Sequence, residues 1–141
     1  MKKLIAMFLT AAAVISVISP VFAEENKPAG KVIAYYFHGS FRCVTCNNME
    51  RYAREAIETN FKDALDSGEI EFKSVNVEER GNEHFVTDYQ LYTKSLILSR
   101  VKDGKEIKSK NLDKIWDCVR SKQTFIDYVT REIRGFLKEA Q

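Results

Sequence analysis

The spacing of apolar and polar residues changes several times along this chain, and each change marks an element. Lys31 to His38 (KVIAYYFH) is a near-continuous apolar and aromatic run, with both faces apolar as in a central parallel strand. Gly39 and Ser40 interrupt it. From Met49 the period is helical: Met49, Tyr52, Ala53, Ala56, Ile57, Phe61, Ala64 and Leu65 predict one stripe along a helix of about five turns, ended by Ser67-Gly68. Its other face pairs Glu50 with Arg54 and Glu58 with Lys62 at i,i+4, acid first. Ile70 to Val77 is a second strand whose alternation slips near Ser74, which predicts a bulge or a switch to two-sided burial.

Glu83 to Gln90 predicts a short helix with Phe85, Val86 and Tyr89 inward, and Leu96 to Val101 a third strand. Lys102-Asp103-Gly104-Lys105 is a hairpin turn, because Asp-Gly tolerates the positive φ such turns need. Glu106 to Lys110 is a charged strand suited to an edge. Leu112, Ile115, Trp116 and Val119 then fall at helical spacing, and Ser121 can cap a following turn. Phe125, Ile126, Val129, Ile133 and Leu137 carry an apolar stripe toward the end. The order is β-α-β-α-β-β-α. A right-handed crossover makes the first two strands parallel, and the hairpin makes the last two antiparallel.

The first 23 residues follow a different logic. Met1-Lys2-Lys3 is basic, Leu4 to Ser19 is uncharged and mostly apolar, Pro20 breaks the run, and Val21-Phe22-Ala23 suits a signal peptidase. We expect a secretory signal over 1–23, cleaved after Ala23, a polar leader over 24–30 (EENKPAG) and one folded domain over 31–141. That places the protein in an exported, periplasmic or other extracytoplasmic setting. The alternative is an uncleaved membrane anchor, since Leu4 to Ala23 is about long enough to span; the folded domain itself is not expected in the membrane. Loss of Lys2 and Lys3 leaves 20 basic against 20 acidic residues, so no basic bias argues for a nucleic-acid partner.

Three cysteines remain, Cys43, Cys46 and Cys118, an odd number for a compartment that favours disulfides. Cys43-Val44-Thr45-Cys46 lies between the first strand and the first helix. Cys43 should therefore sit at a helix N-terminus, where unpaired amide hydrogens and the helix dipole stabilise negative charge. The thiolate is the attacking species in disulfide exchange, and an ordinary thiol with a pKa of about 8.5 is mostly protonated at neutral pH. Arg42 adds positive charge next door. Two intervening residues let the sulfurs meet across one helical turn. Cys43 is then the nucleophile and Cys46, further into the helix, the resolving thiol, with two electrons passed per cycle. A structural disulfide is the plain alternative, but so small a ring adds little loop-closure stabilisation. Asn47 follows Cys46 where a c-type haem site needs histidine, and no G-x-G-x-x-G fingerprint is present. No cofactor beyond the redox disulfide is expected.

Asn76-Val77-Glu78, Leu96-Ile97-Leu98 and the Lys102–Lys105 turn add to that motif, and the chain from about Lys31 to Leu137 resembles the thioredoxin superfamily. The run Tyr36 to Cys46 and the run Asp88 to Leu96 resemble the small exported thioredoxin-like proteins of a nitrophenyl compound nitroreductase subunit family. The resemblance implies a thioredoxin-like α/β fold, a central mixed four-stranded sheet flanked by helices. It implies thiol–disulfide oxidoreductase activity on a protein disulfide or dithiol partner, with a membrane thiol as a further electron donor. It also places Thr93 and Ser95 beside the disulfide. Three positions depart from the thioredoxin pattern. The cis-proline position falls near Ser95, and the chain's only prolines are Pro20 and Pro28, so a trans bond is expected. The buried acid of the first strand falls at Phe37. Arg42 replaces the usual aromatic residue before the first cysteine.

His38 closes the first strand and either tunes the thiol and its proton or is a packed, hydrogen-bonded strand histidine. His84 is expected in solvent. Cys118 is expected to be a buried, inert thiol rather than a relay cysteine, and Trp116 and the tyrosines core and rim. A second functional class stays open: a soft-metal module holding Cu(I) or Zn(II) on Cys43 and Cys46 with His38 or a second subunit. A narrower form of the first has the chain as thiol relay of a nitroaromatic reductase.

Overall fold

A computed structural model describes residues 30–138; the expected signal (1–23) and almost all of the leader (24–30) lie outside the described residues, as does the end of the chain from 139. The elements are β1 (Lys31–His38), α1 (Val44–Asn60), α2 (Lys62–Asp66), β2 (Ile70–Asn76), α3 (His84–Asp88), β3 (Ser95–Lys102), β4 (Lys105–Asn111), α4 (Ile115–Cys118) and α5 (Lys122–Lys138). They build one sheet in the order β2-β1-β3-β4. β1 runs parallel to β2 and antiparallel to β3, and β3 is antiparallel to β4. The mixed sheet, its helix-bearing crossover and its closing hairpin are a thioredoxin-like α/β fold, as expected.

Alternation along the central strands sorts side chains to two faces. Val32, Ala34 and Tyr36 of β1 and Leu96 and Leu98 of β3 face the main core. There they meet Met49, Ala53, Ala56 and Ile57 of α1 and Phe125, Val129, Ile133 and Phe136 of α5. Phe37 of β1 and Ile97 of β3 are buried outside that core. Phe37 meets Phe85 and Tyr89 of the α3 segment at ring-centroid distances of 5.0 and 5.4 Å. β4 is exposed along its whole length, as its charge predicted. Its turn carries positive φ at Asp103 (51°) and Gly104 (76°).

Several expectations need correction. The predicted single helix breaks at Phe61, whose φ of −136° and ψ of 34° leave the helical region. Phe61 is buried there, and its N–H still reaches Ile57 O at 2.9 Å while Asn60 Nδ2 donates to Ala56 O. The helix also starts five residues before the apolar stripe does, at Val44. No bulge occurs near Ser74, because β1 and β2 pair in unbroken register; β2 is an edge strand, partly covered along most of its length. The irregularity lies instead between Arg100 and Val101. Val86 is exposed, since a five-residue helix presents only Phe85 and then Tyr89 to the sheet. On α5 the buried row runs through Tyr128, Thr130 and Phe136, with Ile126 and Leu137 at its flank. Cys118 is only partly buried. Ser121 does cap α5, its Oγ accepting from Thr124 N at 3.4 Å.

What positions the site is the turn leaving β1. Val77 N donates to His38 O at 2.8 Å, extending the β1–β2 ladder by one bond. Glu78 Oε2 accepts from Ser40 N at 3.0 Å, and Asn76 Nδ2 donates to Ser40 Oγ at 3.1 Å. A Cβ on residue 39 would stand 2.5 Å from Glu78 Oε1, so glycine is what lets that carboxylate approach the turn. Among the described residues no peptide bond is cis, in keeping with the trans bond expected near Ser95.

Two outcomes follow from the packing. Phe125→Ala removes a fully buried ring that sits edge-on to Tyr52 at 5.7 Å, and it should lower unfolding free energy by about 3–5 kcal/mol in urea titration. Lys110 Nζ meets Glu132 Oε2 at 2.6 Å, tying β4 to α5, and the lysine's hydrogen bond holds the Glu132 carboxyl below its ordinary value of 4.5. A depressed carboxylate contributes stability above its unfolded pKa and loses it as pH falls through the folded one. The urea midpoint should therefore fall more steeply on acidification below pH 4.5 in the native protein than in Lys110→Met, by a few tenths of a kcal/mol at this half-exposed pair.

Candidate functional site

Cys43 is the N-cap of α1. Its φ of −86° and ψ of 166° are extended, its carbonyl accepts from Asn47 N at 3.0 Å, and its sulfur accepts from Cys46 N at 3.2 Å. An N-cap side chain normally satisfies one of the four orphan amide hydrogens at a helix start; here sulfur does so. The first turn holds no acidic side chain that would oppose negative charge there. Cys43 and Cys46 form a disulfide, their Cα atoms 5.1 Å apart. Cys43 is partly exposed, whereas Cys46 is 2 % exposed.

Tyr36 supports this turn from the sheet. Its hydroxyl donates to Cys46 O at 2.8 Å, and burial pushes the phenol up to about 12, against the opposing pull of Arg42. The phenol thus stays a donor throughout the neutral range.

Arg42 precedes Cys43 in the chain, and His38 and Arg42 are engaged with each other. His38 Nδ1 lies 2.9 Å from Gly39 O, and Arg42 Nη1 lies 3.2 Å from His38 Nε2. A carbonyl can only accept and a guanidinium can only donate, so Nδ1 carries the hydrogen and Nε2 accepts. These two contacts fix the orientation of the ring at the end of β1. Arg42 Nη2 makes an ion pair with Glu50 Oε2.

Thr93 and Ser95 flank the start of β3. Ser95 pairs with Phe37 in the sheet and is buried, its hydroxyl donating to Thr93 O at 3.0 Å. Thr93, with Tyr92, Lys94, His38 and Gly39, lines a shallow pocket of about 180 Å³ at the end of β1. Trp116 closes onto the same loop by donating its indole N–H to Lys94 O at 3.1 Å. His84 is on the surface beside Asp88, at 2.7 Å. Among the described residues no three His, Cys, Asp or Glu side chains gather as metal ligands would, and no helix is long and apolar enough to cross a membrane.

Sequence reasoning treated Glu50 only as a surface partner of Arg54. In the fold it accepts from Arg42 and lies 3.5 Å from Arg54 Nη2. Burial pushes its carboxyl up, but hydrogen bonds from Arg42 and Ser74 and the charge of Arg42 outweigh that, and it titrates below the ordinary carboxylate value. One sign was available: Glu50 follows Cys46 by four residues, so the two share a helix face.

No protein-family model matches the chain, and no curated protein matches it. Among solved structures, a thioredoxin from Fasciola hepatica is similar at 19 % identity and a TM-score of 0.45, over 82 % of this chain and 86 % of that one. Thioredoxin f2 from Chlamydomonas reinhardtii is similar at 12 % identity and a TM-score of 0.36, over 70 % of this chain and 85 % of that one. The fold assignment stands on this chain's own strand order and connections: a thioredoxin-like domain with a Cys-x-x-Cys disulfide at the head of its first helix.

Proposed function

We propose that the chain is an exported thiol–disulfide oxidoreductase acting through Cys43 and Cys46. The observation that carries this reading is a disulfide closed on a helix N-cap, with one sulfur partly exposed and the other buried one turn in. In the reducing direction, the Cys43 thiolate attacks a sulfur of the partner's disulfide. That S–S bond breaks, a Cys43–partner disulfide forms, and the released partner thiolate takes a proton. Cys46 then loses its proton and attacks Cys43 Sγ. The Cys43–Cys46 bond forms and the second partner thiol leaves. Two electrons and two protons reach the partner, and the chain ends in the disulfide form seen here. The oxidising direction is the reverse.

Partner recognition has a surface to use. Phe41 and Val44, on either side of Cys43, are each 78 % exposed, and Tyr92, in the loop that lines a pocket with His38 and Gly39, is 94 % exposed. Apolar side chains so placed around a nucleophile suit a protein partner rather than a small polar thiol. The resemblance to the nitroreductase subunit family supports a narrower role as thiol relay of a larger reductase, with nitro-group chemistry on another subunit. The N-terminal pattern supports an extracytoplasmic setting, where a membrane thiol donor could supply electrons.

Cys43→Ser should abolish reduction of insulin disulfides in a turbidity assay, and Cys46→Ser should accumulate mixed disulfides visible on non-reducing gels. Undiminished turnover by Cys43→Ser would exclude this chemistry. Tyr92→Ser combined with Phe41→Ser should raise KM for a protein disulfide roughly fivefold, the equivalent of about 1 kcal/mol, while leaving the rate with oxidised glutathione unchanged. Equal losses on both substrates would argue against a docking role for the exposed rim.

A further inference from the structure

Arg42 is the cation nearest in sequence to the attacking sulfur, and its charge is not left to act alone. Glu50 takes its Nη2, His38 Nε2 takes its Nη1, and its Nε is buried with no hydrogen-bond partner among the described residues. Glu50 is itself held from two sides: Arg42 reaches it from the turn after β1 and Arg54 from the next turn of α1. Its side chain is 20 % exposed, well short of the solvated face that its i,i+4 spacing with Arg54 suggested.

Two roles compete for a carboxylate placed one turn beyond the resolving cysteine. It could accept the proton of Cys46 during resolution. An acceptor needs basicity, and every group that binds Glu50 is a donor, which lowers it. The other role is electrostatic. Only the reduced form carries a thiolate at residue 43, so a cation left uncompensated beside it favours reduction, and an anion that engages that cation opposes it. The geometry fits the second role.

We propose that Glu50 is a positioning residue for the redox couple: it holds and neutralises Arg42, and thereby keeps the Cys43 thiolate, and with it the reduced form, less favoured than the helix terminus and the arginine alone would make it. This rests on the thiol-exchange reading above. Reduction breaks the Cys43–Cys46 bond with two electrons from a dithiol or two thiols, which leave as a disulfide, and Glu50 enters only through the charge balance of the product.

The test equilibrates the full chain with reduced and oxidised glutathione and reads the reduced fraction by alkylation and mass. Thiolate absorbance against pH gives the Cys43 pKa on the same samples. Glu50→Gln should shift the equilibrium toward the reduced form by about tenfold, equal to about 30 mV for two electrons, and lower the Cys43 pKa. Arg42→Met should move both readouts the opposite way. In an Arg42→Met background, Glu50→Gln should lose most of its effect, because the coupling runs through the guanidinium. An unchanged equilibrium in Glu50→Gln, with the native protein exchanging normally, overturns this proposal and leaves the exchange reading intact. A full-sized effect retained without Arg42 overturns it too, since Glu50 would then act on the sulfur directly. A native disulfide that does not exchange with glutathione at all sinks both readings. Should Glu50→Gln not fold, as judged by circular dichroism, Arg42→Met decides alone, and no shift toward the disulfide overturns the proposal.

Discussion

The site depends on one backbone event: the chain leaves β1, turns within five residues, and enters α1 with Cys43 as the cap. Everything chemical follows from that placement. The cap position gives the sulfur the amide hydrogen of Cys46, at 3.2 Å, and the positive end of a helix of 17 residues. It also puts residue 46 one turn away on the buried side, close enough for the two sulfurs to bond. A cap one residue earlier or later would turn both cysteines together by about 100° around the helix and change which of them faces solvent.

The turn is held from both sides. From β2, Asn76 and Glu78 engage Ser40, and Gly39 admits the Glu78 carboxylate where any Cβ would meet it. From β1, Tyr36 donates to the carbonyl of Cys46. Hydrogen bonds of this kind are individually modest, about 1 kcal/mol net. Their value here is geometric, because they anchor the turn and the start of the helix to β1 and to the end of β2.

How far this was legible in the sequence depends on the range of the interaction involved. The run KVIAYYFH, the Asp103-Gly104 turn and the Cys-x-x-Cys at a strand-to-helix junction are local signals, and the fold realises each of them. The break at Phe61 was hidden because Phe61 belongs to the apolar stripe and is buried; burial is kept while the backbone leaves the helical region. The inward placement assigned to Val86 overlooked that a helix of five residues has room for one row of contacts. The slip at Ser74 marks exposure on an edge strand rather than a break in pairing. No bulge forms, and Ser74 is the one exposed position of an otherwise partly covered edge strand. The pairing of Arg42 with Glu50 joins residues eight apart across a turn and a helix start, a separation that no periodicity marks.

Strand alternation also explains why the missing strand acid matters less than the sequence comparison suggests. Phe37, the position the resemblance assigns to a buried carboxylate, faces Phe85 and Tyr89 on the side of the sheet away from α1. The residues of β1 on the α1 side are Tyr36 and, two further on, His38. Neither is placed to act as an anion: the phenol is held protonated by burial, and both nitrogens of the imidazole are committed. With no carboxylate on this face of the strand, the ion pair next to the cysteine turn is the one between Arg42 and Glu50. A carboxylate on α1 differs physically from one on β1. It stands nearer solvent, it is bound to cations, and it acts by cancelling charge rather than by moving protons.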